Sequence, residues 1–322
     1  MENEGLNRQT SDGENNTIIE RLSPDISIPK IDNPNAQNIT DKSCSCDKEC
    51  SCALKGTLPF SYVYAIGRIS FTFPSESIRQ EFIQILGRGE EEAIKGLATP
   101  EVMHNILTKE NNRYLARELC WFLTIENNKV YILIPRDPWD IDKLIQALRP
   151  APGTGDIDVV IGRRGPLASP EMCGGEILPI VIVDQMYSFD REALLKAIPK
   201  RKQRSSEAQL IKTAEDTLNY IMRMADNTGA TDQHRALNYL AVRYDEIYHK
   251  TQSMQDANYS LTDIEIRPSR LSVTGKDVRV FFIYESRTNR GAPRRLSVKV
   301  DVTGKYPWVK ERLDDYPNIR EY

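Results

Sequence analysis

The sequence predicts an α+β protein with mixed and antiparallel sheets, a helical hairpin and a C-terminal antiparallel sheet. Three observations carry that prediction. Strand-like and helix-like stretches follow one another without a regular βαβ succession. Two stretches between residues 206 and 248 repeat apolar side chains at three- and four-residue spacing. Residues 261–266, 278–284 and 296–302 alternate apolar and polar side chains, as half-buried antiparallel strands do.

Taken in order, residues 62–73 are β-branched and aromatic and read as a strand, with Gly67 marking a bulge. Pro74 ends it. Ser75 caps a helix through Leu86, whose stripe is Ile78, Phe82, Ile85 and Leu86 and whose end is Gly87. Thr99 and Pro100 start a second helix. Residues 111–120 read as either a helix or a loop. Residues 121–125 and 130–134 form a hairpin, turned by Asn127, Asn128 and Lys129 because Asn tolerates a left-handed backbone. Asp137 and Pro138 open a helix to Leu148. Residues 156–162 and 177–183 are two more strands, separated by a loop rich in Gly and Pro.

Asp190 opens a short helix, and a basic linker follows at 200–204. Ser206 and Gln209 have the spacing of a capping box. The helix behind them carries Ile211, Ala214, Leu218, Ile221, Met222 and Ala225, and Gly229 ends it. Thr231 caps a partner helix with Leu237, Leu240, Tyr244, Ile247 and Tyr248 on one face. The two are expected to pack as an antiparallel pair. A short helix over 306–313 closes the chain.

This order divides the chain into a disordered tail (1–42), a cysteine-rich metal-binding segment (43–60), an α+β domain containing the hairpin (61–252) and a β subdomain packed on it (253–322). The tail is polar, with Pro24, Pro29 and Pro34 separating its few isoleucines, and cannot bury enough surface to offset its ordering entropy. The 322 residues hold 43 Lys plus Arg against 46 Asp plus Glu, and the net charge of −3 argues against nucleic acid as a partner. The longest apolar run, 177–183, contains Pro179 and falls far short of the about 20 residues of a membrane helix. The first residues lack a basic patch followed by an apolar stretch. A cytoplasmic location is therefore expected, where thiols stay reduced and metal binding or free thiols are favoured over disulfides.

Cys44, Cys46, Cys50 and Cys52 form a C-x-C-x-x-x-C-x-C cluster. Thiolates this close on one loop can close around a soft divalent ion, with Zn(2+) tetrahedral at about 2.3 Å per sulfur. Free thiols on a flexible tail are the plainer reading. Cys120 and Cys173 are each, alone, ordinary buried small hydrophobes. Gly174 and Gly175 beside Cys173 permit the tight backbone of a metal knuckle. Two architectures stay open: a site within the loop, or one uniting two loop sulfurs with Cys120 and Cys173.

Catalytic constellations are sparse. The chain has only three histidines, His104, His234 and His249, and no Gly-x-Ser-x-Gly elbow, Walker loop or His-Glu-x-x-His. His234 reads as a capping or surface residue. Arg163–Arg164 and Arg294–Arg295 read as solvated pairs that could also meet an acidic peptide. Arg136 and Asp137 suggest a loop salt bridge beside a helix cap.

Several runs resemble the C-terminal domain of unknown function of the cyanobactin maturation proteins (PatG/PatA type). They are residues 61–69, 110–121, 131–138, 158–162, 170–173 and 184–190, and most specifically 226–244. In that family the domain lies behind a subtilisin-like protease or macrocyclase, whose motifs are absent here, so cleavage and macrocyclisation do not transfer. The resemblance implies cysteines at positions 120 and 173 and a cysteine pair ahead of the 61–69 run, which favours the bridging four-sulfur site. The denser cluster here leaves open which two loop thiols ligate. The reading is a non-catalytic, zinc-stabilised accessory module of ribosomal peptide maturation, with a precursor peptide or pathway enzyme as partner, a homodimer left open, and neither nucleic acid nor membrane. The alternatives are a peptide-modifying enzyme using the Cys173 loop and a metal, and a metal-buffering or redox-sensing protein.

Overall fold

A computed structural model describes residues 61–87, 99–149, 157–198, 206–224, 226–269, 276–288 and 291–316. The expected tail, the 43–60 segment and the basic linker lie outside these residues. All described residues belong to one compact unit, Thr57–Tyr322, and the fold is α+β.

The first half builds a closed barrel from β1 (Tyr62–Thr72), β2 (Cys120–Ile125), β3 (Asn128–Pro135), β4 (Ile157–Leu167) and β5 (Pro179–Phe189), in the order β1-β2-β3-β5-β4. The β3–β5 pair is parallel and the other ladders are antiparallel. A closed barrel has one inner face. Val63, Ala65, Trp121, Leu123, Leu133, Val160 and Val181 come from all five strands into one core, which identifies them as that face. Three helices pack against the same core: α1 (Glu76–Leu86) through Phe82, α2 (Pro100–Leu107) through Met103, and α4 (Pro138–Ala147) through Leu144. The short α3 (Leu115–Glu118) leads into β2.

The intervening side chains of β1 and β4, among them Tyr64, Ile66, Val159 and Ile161, point outward into a second core. That core is shared with α6 (Glu207–Met222), α7 (Asp232–Arg243), α8 (Glu246–Asp256) and the inner face of a second sheet. The short α5 (Arg191–Lys196) links β5 to this half. The second sheet is an antiparallel meander, β6 (Tyr259–Pro268), β7 (Asp277–Ser286), β8 (Arg294–Asp301) and β9 (Trp308–Asp315). Strands β1 and β4 are therefore covered on both faces, which is why their sequences run almost continuously apolar.

The structure corrects several expectations. The last element is β9, not a helix. Val309 and Leu313 are four apart, a spacing that fits a helical stripe and also one face of a strand, and the open ladder of β8 decides it. The hairpin partner of α6 is α8, not α7. The helix predicted from Thr231 onward breaks at Tyr244 (φ −128°, ψ 87°). α8 then turns along α6, where the Thr213 hydroxyl bonds Gln252 Oε1 and Gln255 Oε1 at 2.6 and 2.8 Å, while α7 lies on β1. Gly67 is not a bulge. It is the point where β1 changes partners, from β4 (Gly67 opposite Asp158) to β2 (Arg68 opposite Thr124), and a Cβ there would sit 2.5 Å from the Thr124 carbonyl oxygen. The β2–β3 turn is made by Glu126 (φ 49°) and Asn127 (φ 66°), one residue earlier than expected.

Candidate functional site

The change of partners leaves the early part of β1 with an uncovered edge, and the 226–238 run covers it. The Tyr64 amide donates to the Gly229 carbonyl at 2.9 Å, and Asn238 Nδ2 donates to the Tyr64 carbonyl at 2.8 Å. Asn227 and Asn238 exchange amide bonds at 2.7 and 3.1 Å. Tyr131 Oη donates to the Thr228 carbonyl at 3.1 Å. Gly229 has φ +74°, and a Cβ on it would lie 2.4 Å from the Tyr64 oxygen, so no side chain is tolerated. Asn238 is fully buried, and a fully satisfied polar network in a core acts as a unique latch.

Arg235, one turn from Thr231, is also buried. It donates to the carbonyls of Val302 (2.8 Å), Gly304 and Lys305, and its guanidinium lies 5.4 Å from the centre of the Tyr62 ring. Thr231 Oγ1 accepts from the His234 amide at 3.1 Å, as the capping reading required. Burial holds the His234 pKa below the ordinary histidine value, so its ring is neutral at physiological pH. Burial pushes the Tyr64 hydroxyl up to about 12. The three histidines sit on three different helices, α2, α7 and α8.

The second constellation is the cysteine pair. Cys120 opens β2 on the outer face of the barrel and joins a small cluster with Phe122, Ile132 and Ala168. The loop between β4 and β5 folds over this cluster. Its tip runs through three successive left-handed residues, Cys173 (φ 51°), Gly174 (φ 70°) and Gly175 (φ 90°), a conformation that is cheap for glycine and uncommon for cysteine. The tip brings the Cys173 sulfur to that of Cys120 as a disulfide, with Cα atoms 5.5 Å apart. Lys129 Nζ binds Glu176 at 2.5 Å and stacks over the Phe122 ring, tying the loop down a second time.

Cys44, Cys46, Cys50 and Cys52 lie outside the described residues. Cys120 and Cys173 are brought together although 53 residues separate them. The sequence reading favoured reduced thiols, and the structure instead joins this pair in a disulfide. No group of three or more ligand-type side chains stands together among the described residues.

A third cluster was not anticipated. The Asp184 carboxylate, 2% exposed, faces Arg136 (3.1 Å), Lys305 (3.5 Å) and Arg163 (3.6 Å). It ties the β3–α4 and β8–β9 connections to the barrel wall. Arg163 is thus in an ion pair rather than simply solvated, Arg295 pairs with Glu265 at 3.0 Å, and Arg136 makes the expected loop salt bridge beside the Asp137 cap.

Residues 204–316 match the family described as PatG C-terminal. The chain carries a PatG C-terminal-like domain. The match spans α6 to β9. A solved structure named "PatG Domain of Unknown Function" has the same fold, with a TM-score of 0.63 and 20% sequence identity over 80% of this chain and 98% of that one. Coverage that wide takes in the barrel as well, so barrel and second sheet together make the PatG-type fold. No curated protein matches the chain. Within the PatG C-terminal-like region, the Asn227–Asn238 pair was legible as a specific run, but its role in pairing with β1 was not.

Proposed function

We propose that this chain is a non-catalytic accessory module of cyanobactin-type peptide maturation, which binds the precursor peptide or a partner enzyme. One observation carries the reading. The polar residues of the 226–238 run, which by their density look chemical, are engaged with backbone groups of β1 and of the β8–β9 connection. The likeness to PatG domains supports the pathway. Calorimetry of the full chain against the precursor peptide and each pathway enzyme should show saturable binding to at least one; heat of dilution alone for all of them overturns the reading.

Zinc belongs to the same proposal. Reduced Cys120 and Cys173 supply two sulfurs, a structural site takes four protein ligands, and the remaining cysteines of the chain are Cys44, Cys46, Cys50 and Cys52. Protein purified without chelator should hold one zinc per chain and lose it in Cys120→Ser and Cys173→Ser. Metal-free protein with both thiols free contradicts the zinc. The disulfide favours a second reading, a redox-responsive clip, since a sulfur in a disulfide is not a thiolate ligand. Thiol titration across a glutathione series separates the two.

A further inference from the structure

The later half of β1 is left open on the side that β4 has vacated. The β4 ladder ends at Gly67 opposite Asp158, and the β2 ladder runs from Arg68 to Thr72 on the other side. The Asp158 carboxylate, itself buried and bonded by Ser188 at 2.6 Å, accepts from the Ile69 amide at 2.7 Å. The Ile69 N–H therefore points to the vacated side. Strand geometry turns the N–H and C=O of Phe71, two residues on, the same way.

A cleft of about 670 Å³ lies there, touched by every residue from 69 to 73, with Pro100 and Leu148 as walls and the Glu76–Arg79 pair at the rim. Consecutive strand residues send side chains to opposite faces, so one cavity reaching residues 69–72 of β1 must run along the edge of the strand. Elsewhere side chains reach the backbone of the second sheet's edge strands. Tyr244 Oη accepts from the Leu313 amide of β9 at 3.2 Å, and Tyr220 Oη donates to the Thr262 carbonyl of β6 at 2.9 Å. Asn238 and Gly229 cover the early half of β1. Past Ile69, among the described residues, such a cover is missing.

We propose that this edge is a strand-addition site for an extended peptide with apolar side chains at alternate positions. The Phe71 backbone groups, which no described residue on this side pairs, ask for another backbone, and the apolar walls ask for alternate apolar side chains. Residues 69–72 of β1 offer an edge of about 13 Å at about 3.3 Å per residue. The proposal rests on the peptide-binding reading above and names its surface.

The test is fluorescence anisotropy with the full chain and a short labelled peptide carrying valine at alternate positions and lysine at both ends. The expected result is saturable binding, at least about tenfold weaker (about 1.4 kcal/mol) when the peptide amides on its strand-pairing edge are N-methylated. Phe71→Pro, which removes the strand donor, and Pro100→Lys, which fills the mouth from an exposed helix start, should each weaken binding by a similar factor, with melting curves confirming the fold. Equal binding of the N-methylated peptide, or of Pro100→Lys, overturns the site. Precursor binding that ignores both variants also overturns it while leaving the accessory reading intact; absence of all peptide binding overturns the site and leaves the accessory reading to the binding of a pathway enzyme. A wild-type dimer in sedimentation that Phe71→Pro dissolves assigns the edge to a second copy and overturns the peptide.

Discussion

The 226–238 latch and the Cys173 loop are both short, Gly-containing and polar, yet they hold the molecule in different ways. The latch works inside the core, closing the edge of β1 with amides that have no other partner to turn to. The loop works on the outside of the barrel, where a small apolar cluster and one sulfur–sulfur bond hold it. The latch is therefore indifferent to redox potential, while the loop, held by its disulfide, is not. A polar run can be highly specific for structural reasons alone.

Breaking the loop should have the largest effect. Loop-closure entropy over the 53 residues between Cys120 and Cys173 gives an upper figure of about 4 kcal/mol. Cys173→Ser should lower the urea midpoint under oxidising conditions and match the wild type under strong reductant without metal. Gly229→Ala comes next: positive φ and a Cβ 2.4 Å from a carbonyl oxygen should cost about 3 kcal/mol, unaffected by reductant. Asn227→Ala, which unpairs the buried amide of Asn238, should cost about 2 kcal/mol by the same assay.

The smallest effect sharpens the comparison through pH. The folded-state pKa of His234 lies below its unfolded value, so the unfolded chain takes up the proton first. Its contribution is complete above about pH 6.5 and declines as pH falls below that. His234→Gln should flatten the stability profile between pH 7 and 5. A second decline belongs to lower pH. Burial acts to raise the Asp277 pKa, but Lys310 and Lys299 overcome it and hold the carboxyl below its usual value, so its stabilisation fades only below the ordinary carboxylate range.

Much of this was legible in the sequence. Local signals placed the Ser75, Asp137, Ser206 and Thr231 caps, because a cap is decided by neighbours in the chain. The barrel was not legible, because its closure depends on β3 pairing in parallel with β5 and on β1 changing partners at Gly67, both long-range events. The identity of β9 failed for the same reason: β8, not local propensity, makes it a strand. At the site, the resemblance implied Cys120 and Cys173 only as two ligands of a four-sulfur site, so their disulfide was not foreseen, and Asp184 with its three cations left no sequence signal, since Arg136, Arg163 and Lys305 come from the β3–α4 connection, strand β4 and the β8–β9 connection.

The central claim is that the polar side chains of the 226–238 run serve to hold the barrel to the helical half. The direct test is Asn238→Leu, assayed for urea stability and for precursor-peptide affinity per folded molecule. The account predicts a lower midpoint with unchanged affinity. A variant as stable as the wild type that has lost binding, or lost turnover of the peptide, would contradict it.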